Sequence, residues 1–195
     1  KITGTRSFFL YLILGGFLAG LIVFLYGFIV HGGDWAMQPY NKHLAGGGQL
    51  SYAGKVLDRN GVTLAYSSQG NRLYHEDSIV REACLHVVGD TNSYISTSVQ
   101  YVYRSQLAGY NMITGLTTPT GTSIGNDITL TIDSNLQKIA LEKFGNYHGA
   151  AVMYNYQTGE ILCMVSSPTF DPQNPPADLD SNAFYDGVYL NRVFS

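Results

Sequence analysis

The sequence predicts an α+β protein tethered by a single N-terminal transmembrane helix, and three stretches carry that prediction. Phe8–Val30 is an unbroken apolar run, two β-rich runs flank Asn60-Gly61, and Asp127–Pro176 reads as strand, helix and hairpin. Helical and strand periods thus follow each other along one chain, after a segment too apolar for a soluble surface.

At 195 residues the chain has room for one or two domains beside the membrane segment. Its formal net charge is −3 and no basic cluster occurs, so no nucleic-acid partner is expected. The two cysteines, Cys84 and Cys163, have neither metal-ligand nor redox spacing. Cys163 lies in an apolar run and reads as a small buried hydrophobe, with its pairing to Cys84 left open. His31, His43, His75, His86 and His148 are scattered, with no pair at helix-face metal spacing. No metal or cofactor is expected.

Phe8–Val30 supplies about 23 uncharged residues, enough to span a bilayer with some tilt. A secretory signal has a shorter apolar core and a small-residue cleavage site, so a retained anchor is expected. Lys1 and Arg6 precede the span and Asp34 follows it, which puts the N-terminus in the cytoplasm and the rest outside. Tyr26 and Trp35 fall near the outer interface. Gly16 and Gly20 form a Gly-x-x-x-Gly pair that would let another membrane helix approach closely. Trp35–Gln49, ending in Gly46-Gly47-Gly48, reads as a linker.

Lys55–Arg59 and Val62–Tyr66 flank Asn60-Gly61, which predicts a hairpin closed by a type I′ turn. Asp77 or Ser78 caps a short amphipathic helix through Val80, Ala83 and Val87. Ser96–Gly109 predicts a further helix with Val99, Val102, Tyr103 and Leu107 on one face and Gly109 as terminator. Thr114–Gly125 is dense in Thr, Gly and Pro and reads as an interdomain connection. Next, Ile128–Ile132 alternates as a half-buried strand, and Asp133 or Ser134 caps the helix that follows. Leu136, Ile139, Ala140 and Phe144 form its apolar stripe. Gly149–Tyr154 and Glu160–Ser166 make a hairpin around Tyr156–Gly159, completing one sheet with a helix on its face. The expected organisation is an anchor over 1–32, a linker over 33–49, a mixed α+β domain over 50–126 and a second unit over 127–195.

Leu130–Asp133, Leu136-Gln137, Gly149–Val152, Thr158–Leu162, Val165-Ser166 and Pro168–Pro172 together resemble the start of a transpeptidase domain. The family is the class B penicillin-binding proteins, which cross-link peptidoglycan outside the cytoplasmic membrane. Asn191-Arg192 is similar to the Asn-Arg found shortly before that family's nucleophile. Gly54–Gly61 with Leu64-Ala65 resembles the first motif of the family's pedestal domain, with Ala53 where an Arg is usual. Arg72, Tyr74, His86 and Gly89 resemble the second, with His75 where a Pro is usual. In the third motif, Ser98 and Gln100 replace a Gly and a Glu, which removes a possible ion pair between pedestal and catalytic domain. Asn155-Tyr156 stands where an Asp and a small or rigid residue are usual.

The resemblance implies the N-terminal part of a D,D-transpeptidase: anchor, dimerisation-like pedestal, and first strand, helix and hairpin of the transpeptidase domain. Its marker residues are Gly54, Asp58, Arg59, Asn60, Gly61, Arg72, Tyr74, His86 and Gly89 in the pedestal. In the transpeptidase start they are Asp133, Gln137, Gly159, Pro168, Asp171, Asn191 and Arg192. It also implies a place in the bacterial cytoplasmic membrane and a role in cell-wall synthesis. The partner would be a polytopic glycosyltransferase of the shape, elongation, division or sporulation type. Peptidoglycan stem peptides and β-lactams would bind only the complete protein. The alternative is a non-catalytic anchored module that binds or regulates such a glycosyltransferase.

The family's acyl transfer needs a Ser activated by a Lys one helical turn on. Three positions before Lys42, Lys55, Lys138 and Lys143 stand Pro39, Tyr52, Asn135 and Ala140, so the pair is absent. No catalytic residue is therefore assigned in this chain; the nucleophile is expected just after Ser195, and the chain alone should be inactive. Gly121-Thr122-Ser123-Ile124-Gly125 matches a nucleophile-elbow pattern, but a Thr/Pro turn precedes it and a strand follows, so it reads as linker.

Overall fold

A computed structural model describes residues 2–38, 40–41, 50–110 and 125–194. Lys1, the Gly46-Gly47-Gly48 linker, Gly121-Thr122-Ser123-Ile124 and Ser195 lie outside the described residues. The chain begins with α1 (Ile2–Ala36), whose large apolar side chains between Phe8 and Val30 are exposed. Leu10, Ile22 and Val23 are about two-thirds exposed. Such a helix is satisfied only where lipid covers it, because its backbone is fully bonded internally and its surface is apolar. Arg6–Ala36 is long and apolar enough to cross a membrane. The helix continues past Val30 to Ala36, so the first residues read as linker are helical. There Asp34 accepts a hydrogen bond from the Ser105 hydroxyl.

The pedestal sheet runs in the order β3-β2-β1-β4, from β1 (Val56–Leu57), β2 (Thr63–Ser68), β3 (Asn71–Tyr74) and β4 (Ile128–Thr129). The β1–β2 hairpin forms as predicted, but its turn is not type I′. That turn needs positive φ at both central residues, and here Gly61 has φ 81° while Asn60 is not left-handed. Asp58 is the reason: its Oδ1 accepts from the N–H groups of Asn60 and Val62, both at 2.8 Å, and holds the loop in another shape. The type I′ geometry lies one hairpin later, where Gln69 (φ 50°) and Gly70 (φ 80°) join β2 to β3.

α2 (Ser78–Val88) starts at Asp77, whose Oδ1 accepts from the Ile79 N–H at 2.9 Å. It is less amphipathic than the sequence suggested, since Cys84, Leu85, His86 and Val88 are buried beside Val80, Ala83 and Val87. The helix predicted over Ser96–Gly109 is broken at Tyr103 into α3 (Val99–Val102) and α4 (Arg104–Ala108), and Gly109 (φ 65°) ends it. Its inward side carries Gln100, Arg104 and Leu107, whereas Val102 and Tyr103 face outward. The apolar stripe assigned there is therefore wrong at two positions.

α5 (Ser134–Phe144) is capped by Asp133, which accepts from the N–H groups of Asn135 and Leu136. β5 (Gly149–Tyr154) and β6 (Ile161–Ser167) form the predicted hairpin, closed at Gly159 (φ 76°). Asn155 Oδ1 accepts from the Gln157 N–H at 2.9 Å, so the Asn supplies the turn acceptor that an Asp would supply. One expectation fails. β4 does not begin the sheet of β5 and β6; it pairs in parallel with β1, because β1 has a free edge and the Leu57 carbonyl accepts from the Leu130 N–H. The predicted stripe on α5 is also only partly buried, with Ile139 exposed and Gln137 buried instead.

The two units share one core. Val56, Leu64, Ala65, Val80, Cys84, Val87 and Leu107 of the pedestal pack with Ile132 and Met164. A second cluster joins Leu85 and Ile95 to Phe170 and Val188. α2 contributes to both, lying between the pedestal sheet and the α5–β6 layer. Gly61 gives a direct test of the loop geometry. A Cβ there meets nothing within 4 Å, so Gly61→Val is strained by backbone conformation alone. We expect a loss of about 1–3 kcal/mol in chemical denaturation; an unchanged midpoint would rule out a left-handed residue at this position.

Candidate functional site

Several of the marker residues gather at the junction between the pedestal and the α5–β6 unit. At its centre is Asp58, fully buried, whose Oδ2 accepts from the Ser134 hydroxyl at 2.7 Å and from the Ser134 N–H at 3.2 Å. One carboxylate thus closes its own hairpin loop and receives the first turn of α5. Burial alone would raise its pKa, but the bonds from Ser134, Val62 and Asn60 hold it below the ordinary carboxylate value. Beside it, Arg59 N–H donates to the Ile132 carbonyl at 3.0 Å, and Asn60 Nδ2 donates to Asp133 Oδ2 at 3.1 Å. Asp58, Arg59 and Asn60 therefore meet Ile132, Asp133 and Ser134 residue by residue.

Gln137 is a second link. Its Nε2 donates to the Ala83 and Met164 carbonyls, and its Oε1 accepts from the Met164 N–H at 2.6 Å. A fully buried amide thus bridges α2, α5 and β6 with both of its functional atoms paired. A third link is the ion pair of Arg81 with Asp171, at 2.7 Å (Nε–Oδ1) and 2.6 Å (Nη2–Oδ2). Burial opposes the Asp171 charge, yet the Arg81 guanidinium, Asn174 and the Gln173 N–H lower its pKa to about 2. Pro168 is buried behind it, and Thr169 donates to the Glu82 carbonyl.

A fourth contact joins α2 to the final segment. His86 is buried, and its Nε2 lies 2.7 Å from the Val188 carbonyl. A carbonyl only accepts, so Nε2 carries the proton and Nδ1 is left without a partner. Burial lowers the imidazole pKa to about 4. Asn191 Nδ2 reaches the His86 carbonyl at 3.5 Å, and Arg192 is bonded to the Gly187 and Asp186 carbonyls.

Inside the pedestal, Gly54, Arg72, Tyr74 and Gly89 form a separate buried group. Arg72 Nε donates to Gln100 Oε1 at 2.6 Å, and its Nη1 donates to the Gly54 carbonyl at 2.8 Å. Gln100 Nε2 donates to the Gly89 carbonyl and to the Tyr74 hydroxyl. The residue expected to affect an interdomain ion pair thus acts within one domain. Burial lowers the Arg72 pKa to about 10, which leaves it charged at neutral pH beside the neutral Gln100 amide. Gly54 is required by close approach: a Cβ there would collide with the Asn126 carbonyl.

Two sets of marker residues stay apart from this junction. Gly159 sits at the outer turn of the β5–β6 hairpin, and Gly16 and Gly20 lie on α1 with nothing within 4 Å of an added Cβ. Sequence reasoning missed Arg81, Ser134 as an acceptor-bound donor, and Thr169; their partners are 76 to 90 residues away in the chain. Chemically, the junction holds elements in place. Ser134, Ser166 and Ser167 hydroxyls are turned to Asp58 and to the Leu190 and Tyr147 carbonyls. Lys138 is paired with Asp77 at 2.6 Å. Cys84 and Cys163 are both buried and free.

His86 gives the junction a pH dependence. The folded protein resists protonating it while the unfolded chain takes a proton near the ordinary imidazole value of 6.5. Its contribution is therefore complete above about pH 6.5 and is lost as pH falls through about 4. Urea midpoints should decline across that window, and His86→Gln, which keeps a donor for Val188, should flatten the decline. An unchanged slope in the variant would show that His86 is not the group responsible.

No family model matches the chain. In sequence it is similar to the peptidoglycan D,D-transpeptidase MrdA of Acinetobacter baumannii, 46% identical over 48 residues, or 25% of this chain and 7% of that protein. Among solved structures it is similar to the D,D-transpeptidase domain of a peptidoglycan glycosyltransferase from Eggerthella lenta. The TM-score is 0.50 at 25% identity, covering 73% of this chain and 32% of that one. The penicillin-binding protein PBP2 from Helicobacter pylori shares the fold with a TM-score of 0.52 at 15% identity, over 73% of this chain and 48% of that one. The chain thus spans less than half the length of each of these relatives. In sequence and in fold, the chain is similar to penicillin-binding peptidoglycan D,D-transpeptidases.

Proposed function

We propose that the chain provides the anchor, the pedestal and the opening elements of the transpeptidase domain in a protein that cross-links peptidoglycan stem peptides. The cross-linking would proceed by serine acyl transfer, with the nucleophile and its lysine carried outside these 195 residues. The observation that carries this reading is the Asp58–Ser134 contact, where a pedestal marker and the helix of the transpeptidase start are bonded directly. Such a junction would hold the opening elements of the transpeptidase domain rigidly on the pedestal. α1 would insert with its N-terminus in the cytoplasm, leaving the pedestal outside, where the substrate lies. Its open Gly16–Gly20 face suits a second membrane helix, and we assign that partner to a polytopic glycosyltransferase. Gln100, which stands where the family has a Glu, is bonded to Arg72, Tyr74 and Gly89 within the same domain.

The test uses a labelled penicillin on spheroplasts. The 195-residue chain should stay unlabelled and should be digested by added protease from residue 50 onward. The protein that carries it together with a Ser-x-x-Lys segment should be labelled on that serine. Labelling of the short chain that disappears in Ser123→Ala would overturn the assignment, and protection of the pedestal from protease would overturn the orientation.

A further inference from the structure

Between the pedestal and the loop that follows β6 lies an open cleft of about 420 Å³. Thr63 and Tyr66 of β2, His75 and Glu76 ahead of α2, and Gln173 of the loop line it. Arg81 also borders it, and the Arg81–Asp171 ion pair ties its two sides together. Junctions of this kind collect ligands, because they are concave and present groups from two units to one space. All five of these side chains are half-buried or exposed, so none is sealed from a molecule entering the cleft.

Two of the groups are fixed by bonds made on their other atoms. His75 Nδ1 accepts from the Asp77 N–H at 3.0 Å, so in the neutral ring the proton sits on Nε2 as a donor. Gln173 Oε1 accepts from the Tyr74 N–H at 3.3 Å, which leaves its amide NH₂ free to donate. The Thr63 and Tyr66 hydroxyls and the Glu76 carboxylate make no hydrogen bond among the described residues. The cation of the cleft is already spent. Arg81 Nε and Nη2 bond Asp171, and its Nη1 bonds the His75 and Glu76 carbonyls.

These groups select a ligand class. A phosphate or carboxylate would find no unpaired cation and would meet Glu76. An extended peptide would add to the edge strand β3, but the outward N–H of Tyr74 is already taken by Gln173. A neutral sugar suits the cleft, because its hydroxyl and acetamido groups both donate and accept, and its C–H face can cover the Tyr66 ring. We propose that the cleft binds a neutral strand of N-acetylated amino sugars, with His75 and Gln173 donating, Glu76 accepting and Tyr66 beneath a sugar ring. The proposal rests on the pedestal lying outside the membrane, beside the layer whose backbone is such a strand. Bound there, a strand would be held next to the opening elements of the transpeptidase domain.

The experiment is saturation-transfer NMR of the full chain in lipid nanodiscs, titrated with chitotetraose, trilysine and glycerol phosphate. Chitotetraose, a linear oligomer of N-acetylglucosamine, should bind in preference to the other two. Tyr66→Ala and Gln173→Glu should each weaken it about tenfold, the second while keeping an acceptor for the Tyr74 N–H. Glu76→Gln still accepts, so its affinity should stay within about twofold. Gln173 is exposed, so its variant decides the matter if Tyr66→Ala unfolds. No binding of chitotetraose, or binding undiminished in Gln173→Glu, overturns the proposal. So does a preference for glycerol phosphate, or a preference for trilysine that Glu76→Gln abolishes. Labelled penicillin on the protein that carries the chain with a Ser-x-x-Lys segment separates the two readings. A labelled serine without chitotetraose binding refutes only this inference, whereas chitotetraose binding without a labelled serine refutes the transpeptidase assignment.

Discussion

The carboxylate of Asp58 is the constraint on which the rest of the arrangement depends. It accepts two N–H groups of its own loop and both the hydroxyl and the N–H of Ser134, in a site closed to water. A buried carboxylate is tolerable only when its lone pairs are used, and these four donors use them. The same four bonds decide two things together. They set the shape of the β1–β2 loop, and they fix where α5 begins. A chain that misplaced either would leave a buried charge unpaired, which is far costlier than losing one ordinary hydrogen bond.

From that point the packing spreads through α2. A helix between a sheet and another helical layer must be apolar on more than one face, and α2 is buried through Cys84, Leu85 and Val88 as well as Val80 and Val87. Its polar groups are met from the other unit: the Ala83 carbonyl by Gln137, the Glu82 carbonyl by Thr169 and Arg81 by Asp171. The shared core and the polar links follow the same boundary, so residues 50–110 and the α5–β6 region pack around common cores.

Much of this was legible in the sequence where the signal is local. The apolar length of Phe8–Val30, the caps at Asp77 and Asp133, the terminator Gly109 and the β5–β6 hairpin all rest on residues close together in the chain. What was misread depends on side-chain and strand partners that local periodicity does not record. Asn60-Gly61 carries a type I′ signature, but the Asp58 side chain takes the loop N–H groups and selects another turn. Ile128–Ile132 has a strand pattern, yet nothing local says that β1 of the pedestal is its partner. Ser96–Gly109 has helical periodicity, but Gln100 is drawn inward by Arg72, 28 residues earlier, and the helix breaks at Tyr103. The junction was visible only as a set of marker residues; its geometry came from contacts that no periodicity records.

The most direct measurement of the central claim is a double-mutant cycle on Asp58→Ala and Ser134→Ala, read by urea denaturation of the chain in detergent. If one carboxylate joins the pedestal loop to α5, the two substitutions should be coupled by about 1–3 kcal/mol, with each single variant destabilised. Additivity to within about 0.5 kcal/mol would contradict the account, because it would mean that loop and helix are held in place independently.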